Sequence, residues 1–63
     1  MNNNIVKFRN SNNWTQKEVA QKIGITTSYL GMIELGVRTP SLEIAYKIAQ
    51  LFNVSIEDIF FEN

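Results

Sequence analysis

The charged side chains of this sequence set the chemistry available to it. Lys7, Arg9, Lys17, Lys22, Arg38 and Lys47 all lie before residue 57, against only Glu18, Glu34 and Glu43 over the same stretch, so residues 1–56 carry a net +3. A formal net charge of zero over the whole chain is a poor start for holding phosphate, because that affinity comes from Lys and Arg displacing counterions. Segregating the charge restores part of it. The last seven residues hold Glu57, Asp58 and Glu62 with no cation, an end unsuited to a polyanion. Nor do these three carboxylates have a cation or a pocket-forming context that would set them up for acid–base catalysis.

Other chemistries are excluded by composition. Without Cys there is neither a disulfide framework nor thiolate metal ligation, and without His the usual imidazole ligand and neutral-pH proton shuttle are missing. No catalytic residue, metal site, cofactor or small-molecule ligand is expected. The apolar runs are only a few residues long and no charged segment precedes one at the N-terminus, so neither a membrane span nor a signal peptide is read, and the expected location is cytoplasmic. At 63 residues the chain has room for one domain, which buries only about 60% of the surface its unfolded form exposes. Its 44% hydrophobic content, single Pro and three Gly suit a small packed helical core. Met1 and the helix-completing end at Asn63 favour a self-standing protein over a domain cut from a longer one.

The elements that must position any site read as short helices. Ile5 and Phe8 stand three apart in a first helix of about two turns, capped from Asn2–Asn4 and stopped by the Asn-rich stretch from Asn10 to Asn13. Thr15 with Glu18 three residues later is a capping box, and Trp14 before it can staple against Val19. The second helix buries Val19, Ala20 and Ile23 and ends at Gly24. Thr26 caps a third helix with Leu30 and Ile33 inward, which Gly36 stops. Ser41 then caps a fourth helix in which Leu42, Ala45, Ile48, Ala49 and Phe52 recur at helical spacing toward the core. Ser55 caps a short fifth helix with Ile56, Ile59 and Phe60.

Two short helices joined by a tight glycine turn are the parts of a helix-turn-helix, whose second helix enters the DNA major groove. Ala20 where the helices cross, Gly24 at the turn, and Val19, Ile23, Ile25, Leu30 and Ile33 inward meet its spacing. The run TQKEVAQKIGITTSYLGMIELGVRTPSLEIAYKIAQLF resembles the phage repressor and Cro-type (XRE-like) family over nearly the whole chain: the Thr-Gln opening, the Ile-Gly turn, the Ile-Glu-x-Gly close and the Arg-Thr-Pro-Ser loop all match. The resemblance implies an all-α, compact five-helix, lambda-repressor-like domain over residues 1–63, acting as a transcriptional regulator that binds a palindromic operator on double-stranded DNA as a homodimer.

By the same resemblance, the base-reading positions are Thr27, Ser28, Gly31 and Met32. Gln16 falls on the family's phosphate-contacting glutamine, and Lys17, Tyr29 and Arg38 are further phosphate candidates. Thr and Ser hydroxyls can meet either kind of base edge, whereas Met32 offers an apolar surface suited to a thymine methyl. The family places Arg9 and Glu34 together as an ion pair tying the first helix to the third, so neither is read as a DNA contact. Trp14 and Phe8 read as core rather than as platforms for base stacking.

Two competing readings remain. Met32, Leu35 and Val37 form a run of apolar positions, two of them where the family is more often polar or basic, which would suit a helix-turn-helix used as a protein-interaction or antitoxin-like module. The C-terminal cluster of Ile56, Ile59, Phe60 and Phe61 is larger than a short helix needs, so Ile56 and Phe61, with Ile44 or Leu51, are the dimer-interface candidates; the alternative is that Phe60 and Phe61 only cover the core.

Overall fold

The computed structural model describes residues 3–60 as five helices: α1 Ile5–Ser11, α2 Gln16–Ile23, α3 Thr27–Leu35, α4 Leu42–Phe52 and α5 Ile56–Phe60. No strand occurs among the described residues. Most of the boundaries follow from side-chain chemistry at the helix ends. Thr15 Oγ1 accepts from the Glu18 N–H at 3.1 Å while Glu18 Oε1 accepts from the Thr15 N–H at 2.9 Å, closing the capping box. Thr26 and Ser41 accept from the N–H groups of Tyr29 and Ile44 at the starts of α3 and α4. Ser55 and Asp58 repeat the reciprocal pattern at α5.

At the other ends the backbone turns left-handed. Gly24 at φ 90° and Gly36 at φ 81° close α2 and α3, and Asn53 at φ 58° closes α4. The Asn-rich stretch ends α1 as expected, with Asn13 also in the left-handed region that Asn tolerates. The start of α1 differs in detail. Asn4, its N-cap, makes no capping bond; Asn3 Oδ1 accepts from the Ile5 N–H at 3.2 Å instead. Asn4 is committed elsewhere, its N–H and side-chain amide donating to the carbonyls of Ile59 and Asp58 in α5 at 2.9 and 3.0 Å.

The core gathers Ile5, Val19, Ala20, Ile23, Leu30, Ile33, Ala45, Ile48, Ala49, Phe52, Ile59 and Phe60, so every described helix contributes to it. Helix α2 packs on α3 and α4, and α4 on α5. Phe52 is the aromatic hub, with the rings of Phe8 and Trp14 at 5.8 and 5.9 Å. Leu42 is a correction to the periodic reading. As the first residue of α4 it lies 77% exposed, and the buried stripe begins one turn later at Ala45.

Candidate nucleic-acid interface

The site is built on α2, the turn and α3. Gly24 and Ile25 both donate to the Ala20 carbonyl, at 2.9 and 3.0 Å, so α2 stops abruptly and Thr26 starts α3 two residues after Gly24. Leu30 and Ile33 have no exposed surface and fix the rotation of α3 against the core. That rotation leaves Thr27 and Ser28 exposed on the first turn, with Gly31 and Met32 half-buried beyond them. These are the expected base-reading positions, and they run along the outward side of one helix.

The phosphate candidates fall into two groups at the edges of that surface. Lys17 stands exposed on the first turn of α2, beside the half-buried Gln16. Across α3, the Val37 and Arg38 N–H groups hook back on the Met32 carbonyl, and the Arg38 guanidinium lies 5.6 Å from the Tyr29 ring centroid. Tyr29 and Arg38 are thereby brought together. Lys22 is committed differently, its ammonium 4.8 Å from the Trp14 ring, and Lys47 pairs with Glu43 along α4 at 3.8 Å. What the structure shows packed on Trp14 is Phe52 and Lys22.

At the start of α2 the cap itself holds a carboxylate ionised. The capping bonds from the Thr15 backbone and then its hydroxyl hold the Glu18 carboxyl below its ordinary value of 4.5 against the opposing effect of desolvation, with a smaller contribution from Lys22, so Glu18 stays turned to its own helix start as a carboxylate. Arg9 and Glu34 form the expected ion pair, Nε to Oε2 at 2.9 Å, with only 15% and 5% of their side chains exposed. Sequence reasoning missed a third member of this group: Gln16 Nε2 donates to Glu34 Oε1 at 2.8 Å. Gln16 and Glu34 lie 18 residues apart on different helices, so no local pattern signals the contact. The Gln16 amide also faces the bare position at Gly31, where an added Cβ would sit 3.5 Å from Nε2.

Of the dimer candidates, Ile44, Leu51 and Ile56 are half-buried against the core, and Phe61 lies outside the described residues. Leu35 and Val37 are 80% and 67% exposed at the end of α3 and in the loop after it. Among the described residues no group of acids could hold a metal ion, and no helix is long and apolar enough to cross a membrane.

A short helix presented across a glycine turn, anchored inward and polar at its outward start, defines a helix-turn-helix module. Residues 5–59 match the helix-turn-helix family model, and the chain belongs to that family. An HTH-type transcriptional regulator of Archaeoglobus fulgidus is 45% identical over 60 residues, covering 95% of this chain and 84% of its own length. Another, from Methanocaldococcus jannaschii, is 43% identical over 60 residues, covering 95% and 91%. The fold is similar to the N-terminal DNA-binding domain of SinR from Bacillus subtilis, with a TM-score of 0.76 and 30% identity over 84% of this chain and 78% of that one. These relatives are regulators, not enzymes.

Proposed function

We propose that the chain is a sequence-specific transcriptional regulator that binds a palindromic operator as a homodimer and represses by occupying it. The observation that carries this reading is the outward side of α3, where Thr27 and Ser28 stand exposed while Leu30 and Ile33 lock the same helix to the core. Thr27, Ser28, Gly31 and Met32 read base edges; Gln16, Lys17, Tyr29 and Arg38 hold phosphates. Support comes from the family and from a SinR structure solved in complex with DNA, similar to this chain at a TM-score of 0.76 over 84% of its length and 30% identical to it. Residues 1–63 act as one domain, in the cytoplasm where the DNA is.

One chain supplies one recognition helix, and its longest extent of 27 Å is less than the roughly 34 Å between half-sites on one face of the duplex. Two copies are therefore needed for a palindrome, joined through Ile44, Leu51, Ile56 and Phe61 about a twofold axis. Selection from a random duplex library at moderate salt tests this. Recovery of a palindrome with half-sites one helical turn apart is expected; enrichment of nothing at any salt concentration would overturn it.

The exposed Leu35 and Val37 favour a second reading, in which this edge binds a protein. SinR is again the relevant comparison, since a structure of SinR in complex with SinI protein is similar to this chain, with a TM-score of 0.77 and 30% identity over 84% of it. Steep weakening of duplex binding by salt separates the two readings, because only phosphate contacts release counterions.

A further inference from the structure

The hydrogen bonds around Glu34 reach beyond the ion pair. Arg9 donates to both carboxylate oxygens, Nε to Oε2 at 2.9 Å and Nη2 to Oε1 at 3.3 Å, and Oε1 also accepts from Gln16 Nε2 at 2.8 Å. Arg9 Nη1 donates to the Trp14 carbonyl at 3.3 Å, and the Trp14 N–H donates back to the Arg9 carbonyl at 3.0 Å. Trp14 and Gln16 flank Thr15, the N-cap of α2. One guanidinium and one carboxylate thus hold the start of α2 on both sides of its cap.

We propose that Glu34 is a positioning residue for DNA binding. By accepting one amide hydrogen of Gln16 it sets which way the carboxamide faces, so that the second hydrogen is presented to a backbone phosphate. This role rests on the reading of α2 and α3 as the DNA face. A carboxylate can only accept, so it draws Nε2 rather than Oε1 of Gln16 toward itself and settles the orientation of the amide. A glutamine held in place before binding loses less rotamer freedom on meeting its phosphate than a loose one does. A bare carboxylate beside a phosphate would repel it, but Arg9 is bonded to both oxygens of Glu34 and cancels that charge. The amide lies over Gly31, where an added Cβ would meet Nε2 at an ordinary contact distance of 3.5 Å.

The test is a cycle of variants on duplex affinity, each protein first shown to be folded by circular dichroism. Replacing the pair together, Arg9→Met with Glu34→Met, removes both charges at similar volume, a change that buried pairs often tolerate. This variant is expected to bind about fivefold more weakly, as Gln16→Ala does, and adding Gln16→Ala to it is expected to weaken binding no further. A folded pair replacement that binds as the native chain does, or a further fivefold loss on adding Gln16→Ala, would overturn the proposal. Where the pair replacement does not fold, the side-chain amide signals of Gln16 in the native chain decide. Slowed hydrogen exchange and restricted motion are expected, and an amide as mobile as that of the exposed Gln21 overturns the role. A native chain that binds no duplex at any salt overturns the DNA reading and this role together, whereas a chain that binds but is indifferent to Gln16→Ala overturns the role alone.

Discussion

Leu30 and Ile33, on the inward side of α3, have no exposed surface, whereas Thr27 and Ser28 on its outward side are exposed and Gly31 carries no side chain. The inward pair sets where the helix lies and how it is turned. The outward positions have little part in the core and contribute to folding only through the helix itself. Substitutions on the two sides should therefore separate stability from recognition, and each comparison below is a way to make that separation fail.

The largest effect belongs to the inward side. Leu30→Ala or Ile33→Ala is expected to cost about 2–5 kcal/mol, a large part of the whole stability of a domain this small, and thermal unfolding should show a broad, early transition. Ser28→Ala should leave that transition in place and alter base preference at one position by about 1 kcal/mol, read by repeating the duplex selection. Equal losses on cognate and scrambled DNA would remove Ser28 from the base-reading set. Gly31→Ala tests the division from the other direction. An added Cβ makes only ordinary contact with the Gln16 amide, so the variant should unfold later, by up to about 1 kcal/mol, while binding its operator no better. Leu35→Ser with Val37→Ser should change stability by no more than about 0.5 kcal/mol per site; loss of a protein partner with retained duplex binding would assign this edge to the second reading.

The smallest effect is one of pH. The Glu18 carboxyl titrates below its ordinary 4.5 in the folded chain, so the support it gives the start of α2 is complete above that value and is lost as pH falls through the lowered one. Glu18→Gln should lower the neutral-pH plateau of a stability–pH curve slightly and flatten the acid limb in that window, so that the two chains converge once the carboxyl of the native chain is protonated.

Local chemistry was the legible part of this sequence. Thr15 with Glu18, Thr26, Ser41, Gly24 and Gly36 each mark a helix end by a bond or backbone angle made within a few residues, and the structure places all of them as read. Leu42 shows where periodicity overreaches. A helix's first residue shares the spacing of the buried stripe but lies at the end of the packed surface, and Leu42 stays in solvent. Contacts across long sequence separations gave no local signal. Only resemblance to a family pointed to Arg9 with Glu34, and nothing pointed to Gln16 on Glu34 or to the Asn3 side-chain amide on the Ile33 carbonyl at 2.8 Å. A single amide among several Asn and Gln says nothing by itself about which distant oxygen it will meet.

Asn4, donating to two carbonyls of α5, has a consequence for building with this fold. It draws residue 4 to residues 58 and 59, so among the described residues the chain is nearly a closed ring, with the start of α1 tied to α5. A tandem fusion that links residue 60 of one copy to residue 3 of the next would give a single-chain form with two recognition helices, whose pairing with each other no longer depends on protein concentration.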